Sequence, residues 1–363
     1  MSVIIFLFVL FVLILVHEWG HFIAAKKTGM RVDEFAIGFP PKLFGLKKGE
    51  TEYSFNILPI GGFVRIFGEN PDALVDSDPD KARAFGSRPK WAQAIVLVAG
   101  VTMNVIFAWF LFLGTYLVGV PTAVEEINAS PEAVLYVSDI LPNGPLFEKL
   151  PAGAEVQKLV SGADELASPV PSSFSSFIQS HADTPVTIYY RYGETESSAE
   201  VMPELGLIAS DETKAAVGVS LAMVETADMG FLEAVSAASS ATYYGLINIT
   251  VGLTTLLSQS VQGTADFTQV AGPVGIVGMV GDAANFGIVA LLTFTAMISL
   301  NLAVINMLPI PALDGGRLLF VAIEAVTRRP INPVWMGRVN LVGFVLLMAL
   351  MLIVTWNDIA KLI

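Results

Sequence analysis

Four stretches of about 20 predominantly apolar residues dominate the chain, at roughly 2–25, 93–119, 287–308 and 338–357. Each is long enough to cross a hydrocarbon core of about 30 Å as a helix. The first is unusual, because its apolar run from Val3 to Val16 is followed by His17-Glu18-Trp19-Gly20-His21, resumes from Phe22 to Ala25 and stops at Lys26 and Lys27. A fifth stretch, Phe231 to Val261, carries Ser239, Ser240, Thr242, Asn248, Thr250, Thr254, Thr255, Ser258 and Gln259. That polar load predicts an interfacial or partly buried helix rather than a span. Between 122 and 225 the pattern changes to strand-like stretches at Leu135 to Leu141, Val156 to Val160, Val186 to Tyr192 and Ala199 to Met202, with a short helix at Ser173 to Ser180. Gly, Pro, Asn and Asp separate them, which predicts one small α+β domain. Glu52 to Phe67 reads as strand, turn, strand around Gly61-Gly62. This apolar hairpin either packs on the helices or dips into the interface and offers an edge to an extended peptide.

The expected fold is therefore a polytopic α-helical membrane protein with about four spans, a membrane-associated β-hairpin and one inserted extracytoplasmic domain. The parts are an N-terminal membrane half (1–120), the inserted domain (122–225), an amphipathic helix and loop (226–285) and a C-terminal membrane half (286–363). Composition agrees: 54% of the 363 residues are hydrophobic and the mean hydropathy is +0.65, above the 45–50% apolar share typical of soluble domains. No basic region precedes the first apolar run and no small-residue cleavage site follows it, so that run is read as a retained span. The absence of cysteine excludes disulfides and cysteine-based metal or redox centres. A net charge of −13 argues against nucleic acid as a partner.

The distribution of charge says more than its sum. Lysines and arginines concentrate on cytoplasmic loops, and the 26–92 connection holds eleven of them, from Lys26 to Lys90. The 309–337 connection adds Arg317, Arg328 and Arg329. Both loops are expected to face the cytoplasm, with both termini and the acidic 120–235 region outside. A fifth span at 231–261 would put Arg328 and Arg329 on the wrong side.

Histidines at i and i+4 share a helical face, so His17 and His21 can present imidazole nitrogens to one Zn²⁺. Glu18, next to His17, is placed to act as general base on a water activated there. Ionisable groups in hydrocarbon are costly and mark function by default. A catalytic zinc normally takes three protein ligands, and the best remaining candidate is Asp314 in Asn306-Met-Leu-Pro-Ile-Pro-Ala-Leu-Asp314-Gly315-Gly316. At 1.5 Å per residue, His17 lies roughly 22 Å along the first helix, toward the cytoplasmic third of the bilayer. The third span ends near Leu308 and brings Asp314 to a similar depth. Asn104, Asn301 and Asn306 are candidates for hydrogen bonds inside the bundle, and Asn306 could also orient substrate or its oxyanion. The same ligands would also suit a metal transporter or sensor. That alternative calls for polar groups spread over several spans, and few are present.

The His17 to His21 motif, Arg31 to Phe39, Gly61-Gly62-Phe-Val-Arg, Ala271-Gly-Pro-Val-Gly-Ile276 and Asn306 to Gly316 occur in the order seen in site-2 proteases. The chain resembles that family of intramembrane zinc metalloproteases, and most closely its bacterial regulator-of-sigma-E branch. The resemblance implies His17, His21 and Asp314 as zinc ligands, Glu18 as base, and Asn306 as a helper in substrate or transition-state binding. It also implies a membrane-reentrant hairpin at 53–68 and a PDZ-like domain in 122–225, although the usual Gly-Asp is not evident near Gly153-Ala154-Glu155. Implied substrates are transmembrane segments of single-span proteins, such as anti-sigma factors, or remnant signal peptides. The implied setting is the cytoplasmic membrane.

Overall fold

The computed structural model describes residues 1–69, 79–142, 144–193, 195–207, 214–227, 229–264 and 271–361. The expected loop 26–92 and segment 226–285 thus lie partly outside the described residues, at 70–78, 228 and 265–270. The chain forms two compact units: 1–114, 232–284 and 290–363 in the first, 115–231 and 285–289 in the second.

Among the described residues, four helices of the first unit are long and apolar enough to cross a membrane: α1 (Ser2–Lys27), α2 (Lys90–Val118), α6 (Ile288–Met307) and α8 (Pro333–Ala360). Their apolar residues face all directions, so the inward faces are set by detail rather than by amphipathicity. In α1 the buried stripe is Val9, Leu13, His17, His21 and Ala24, with Gly20 and Ala25 beside it. A Cβ on Gly20 would overlap the carbonyl oxygen of Ala99 and lie 2.8 Å from Met103 Cγ. Close helix approach therefore requires glycine there, as small residues generally allow in membranes. In α2 every fourth residue from Ala92 is buried: Ala92, Val96, Gly100, Asn104, Ala108 and Phe112. The inward residues of α6 are Thr295, Ala296, Ser299, Leu300 and Ala303, mostly small. The polar stretch expected to be interfacial is a 32-residue helix, α4 (Phe231–Gln262), and it is not among the four.

The hairpin expected at 53–68 does not fold on itself. Two long strands, β1 (Val32–Lys48) and β2 (Thr51–Ile66), pair throughout, and β2 bends so that its two arms flank the start of β1. Phe35 pairs with Tyr53 on one side and with Val64 on the other, and Ala36 likewise with Ser54 and Phe63. Gly61, at φ 113°, stands at the bend. The arms are held apart because the apolar Phe35-Ala36-Ile37 segment takes ladder partners on both sides, an arrangement that alternation along 52–67 alone does not reveal. In the turn between the strands, Glu50 accepts hydrogen bonds from Lys26 Nζ at 2.6 Å and Arg83 at 2.9 Å. Its carboxyl is held below the usual range by the Lys26 ammonium, so this tie between sheet and helix end is lost as pH falls through that lowered value.

Two shorter helices complete the unit, α5 (Pro273–Asn285) and α7 (Asp314–Thr327). The buried Asp358 of α8 accepts hydrogen bonds from the backbone N–H groups of Gly272 at 3.0 Å and Gly275 at 2.8 Å, capping the start of α5. Asp358→Ala leaves those donors unmet, and charge-assisted bonds of this kind contribute about 1.5–3 kcal/mol. A lower thermal unfolding midpoint in detergent, with Asp358→Asn intermediate, is the expected result.

The second unit is an antiparallel sheet with strand order β3 (Val120–Val124), β11 (Val219–Ala227), β4 (Val134–Ile140), β5 (Glu155–Ser161), β7 (Val186–Tyr192), β8 (Thr195–Val201), and β6 (Asp164–Ala167) paired to β5. Alternation places Val186, Ile188 and Tyr190 of β7 inside. Phe174 and Ile178 of α3 (Pro171–Ser180) join Leu135, Val137, Leu146, Val156 and Leu159 in one core. All four expected strands are present within a residue or a few. The pair β9 (Glu204–Leu205) and β10 (Ala215–Ala216), together with β3, β6 and β11, were not expected.

Candidate metal centre and active site

Helix α1 brings His17 and His21 to one face, with ring centroids 4.7 Å apart and nearly perpendicular. Their Nε2 atoms are 3.1 Å apart. Asp314, 297 residues after His17, places Oδ2 at 3.0 Å from His17 Nε2 and 3.3 Å from His21 Nε2. These three are the group of donor atoms that could hold a metal ion among the described residues. At Zn–N and Zn–O bonds near 2.0–2.1 Å, the edges of a tetrahedron are about 3.3 Å, so the observed separations fit a single zinc without rearrangement.

Asp314 is not on irregular backbone. It is the first residue of α7, and Gly315 and Gly316 lie in the first helical turn rather than forming a tight turn. Their role is proximity: a Cβ on Gly315 would overlap the carbonyl oxygens of Met307 and Leu308, and one on Gly316 would overlap that of Ile310. The helix start is thereby pressed onto the loop that ends α6, which fixes the depth of the aspartate.

Glu18 points across the same site, and its Oε2 accepts a hydrogen bond from the backbone N–H of Val64 in β2 at 3.0 Å. A cavity of about 170 Å³ joins His17, Glu18, His21 and Asp314; its walls include Phe63, Val64 and Ile66 of β2, Phe85, and Val96 and Leu97 of α2. Glu69 and Arg317, paired with each other, also border it. Asn306, half-buried in the last turn of α6, does not line this cavity. Among the described residues it makes no hydrogen bond to the cluster. Asn301 donates to the backbone of its own helix, at Met297 O.

Sequence reasoning named Asn104 of α2 as a hydrogen-bonding residue inside the bundle, which it is, but missed its histidine partner and the parts played by Val96 and Gly100. His21 Nδ1 is 2.8 Å from the carbonyl oxygen of Val96, and the Asn104 amide is 3.2 Å from His17 Nδ1. Gly100 lies between, where a Cβ would overlap His21 Nε2 and approach His17 Cε1 to 2.8 Å. The signal was present as a four-residue spacing, Val96, Gly100, Asn104, which is one helical face.

Two histidines, a distant aspartate and an adjoining glutamate, gathered among apolar helices, define a metallopeptidase of membranes. The chain belongs to peptidase family M50, whose model matches residues 5–350, the site-2 protease family that the motifs resemble. The regulator of sigma-W protease RasP of Bacillus subtilis is 31% identical over 437 residues, covering 99% of this chain and 99% of that protein. The zinc metalloprotease RasP of Shouchella clausii is 30% identical over 440 residues, covering 98% of each. A Clostridium perfringens relative is 36% identical over 349 residues, 96% of this chain and 95% of its own. The protein is thus a zinc metalloendopeptidase of a membrane, and the alternative of a metal carrier gives way.

Proposed function

We propose that this chain cleaves peptide bonds within the transmembrane segments of single-span proteins, with His17, His21 and Asp314 as zinc ligands and Glu18 as the base. The observation that carries this reading is the convergence of the three donor atoms beside a carboxylate in a small walled cavity. Zinc held by these three residues would supply Lewis-acid polarisation of the scissile carbonyl and activation of a water. Glu18 is placed to take the proton of the attacking water and deliver it to the leaving nitrogen. Its hydrogen bond to Val64 N–H orients the carboxylate meanwhile.

A helical substrate hides its carbonyls in i to i−4 bonds and must unwind before cleavage. The outer edge of the β2 arm at 62–66 adjoins Glu18, which supports its use as a template for the extended substrate. Asn306 is proposed to hold substrate rather than metal, so Asn306→Ala is expected to raise KM severalfold while zinc content stays unchanged. The lysine- and arginine-rich loops support an active site toward the cytoplasmic face, with the second unit outside as a PDZ-like domain. Its groove of about 320 Å³ between α3 and the Val217–Leu221 segment has the form of a site for a peptide strand. The sigma-W regulator named among the relatives supports an anti-sigma factor as one substrate, and remnant signal peptides are the second class.

The test is the full chain in proteoliposomes with a single-span substrate. Chelation is expected to stop cleavage, zinc to restore it, and mass spectrometry to map the cut inside the span. A cut only in the extramembrane portion would defeat the proposal.

A further inference from the structure

The face of α2 at Val96, Gly100 and Asn104 touches both histidines, and its contacts are of a kind that decides where each imidazole carries its hydrogen. His21 donates Nδ1–H to Val96 O at 2.8 Å, which leaves the lone pair of Nε2 directed at Asp314 and His17. A backbone carbonyl can only accept, so the direction of that bond is fixed. The contact at His17 is different. Asn104 is completely buried, its Nδ2 lies 3.2 Å from His17 Nδ1, and its Oδ1 is buried without a partner.

With Nδ2–H as donor, His17 Nδ1 accepts and the ring hydrogen sits on Nε2, 3.0 Å from Asp314 Oδ2. A metal requires the Nε2 lone pair, and so a hydrogen on Nδ1. A half-turn of the Asn104 amide about Cβ–Cγ supplies this arrangement, because Oδ1 then accepts from Nδ1–H. One amide atom stays unpartnered in either orientation, so neither orientation is locked. The backbone is steadied separately, since Ser299 Oγ of α6 donates to Asn104 O at 2.8 Å.

We propose that Asn104 is a positioning residue that commits His17 to metal binding by accepting its Nδ1–H, the counterpart on a side chain of what Val96 O does for His21. The proposal rests on His17 being a zinc ligand. Outer partners of metal-bound histidines orient the ring and raise its basicity, and their loss typically costs 10–100-fold in metal affinity or activity.

The experiment measures zinc affinity of the full-length protein in detergent micelles by competition with a chromophoric chelator, together with the visible spectrum of the cobalt form. Asn104→Leu, similar in volume but unable to accept, is expected to bind zinc 10–100-fold more weakly and to alter the cobalt bands. Asn104→Asp, which accepts in either orientation, is expected to bind at least as tightly as the parent. Affinity of Asn104→Leu within threefold of the parent overturns the proposal. So does equal weakening by both variants, which would mark a packing role only. His17→Ala separates the two levels: if it retains stoichiometric zinc, the metal-centre reading itself fails, whereas zinc loss there beside an unaffected Asn104→Leu refutes only the role of Asn104.

Discussion

Glu18→Gln is expected to retain one zinc per chain and to lower kcat by about 10²–10⁴-fold, the usual contribution of a positioned general base. Glutamine preserves the volume, and its amide oxygen can still accept from Val64 N–H, where Glu18 Oε2 now sits at 3.0 Å. The hairpin and the cavity wall therefore stay in place. What is lost is the group that takes a proton from water, because an amide is not a base at neutral pH. Zinc content by atomic absorption, alongside single-turnover cleavage of a transmembrane substrate, separates these effects. Undiminished turnover would exclude Glu18 as the base, and loss of zinc would assign it to the ligand set instead.

Gly100→Ala is expected to disable the centre with the fold intact. The added Cβ would overlap His21 Nε2 and stand 2.6 Å from its Cε1 and 2.8 Å from His17 Cε1. Rings can swing where backbone cannot, so relief comes by displacing both imidazoles from Asp314. A misplacement of about 1 Å in a reacting constellation costs on the order of 10²-fold, and zinc affinity falls with it. Gly114, on the same helix with open space around it, provides the control: Gly114→Ala is expected to bind zinc and cleave as the parent does. Equal zinc content in Gly100→Ala and the parent would show that the rings have another way to relax.

Much of the centre was readable because its constraints act on residue identity. Histidines four apart share a helical face by geometry, an aspartate after two prolines stands out in an apolar context, and counting residues along the first and third spans led to one expected depth for both. The spans were legible for the same reason, since hydrocarbon tolerates few alternatives. What escaped notice is made by backbone or by absence. Val64 serves through its N–H and Val96 through its C=O, and any residue but proline offers the first. Gly100 serves by lacking a side chain. The strand β1 was missed because Gly38, Pro40, Pro41, Gly45 and three lysines interrupt its alternation, and only its pairing on both flanks with β2 makes it a strand. The glycines after Asp314 suggested a turn, when their function is to let a helix begin against carbonyl oxygens.

The cavity beside Glu18, at about 170 Å³, is small and walled largely by side chains of β2 and α2. Hydrolysis consumes one water per bond, here among helices that are long and apolar enough to cross a membrane. Water for each turnover has to enter this small cavity, which the Glu69–Arg317 pair also borders. Lowered water activity is accordingly a condition under which this peptidase should slow sooner than a relative of equal chemistry working in bulk solution.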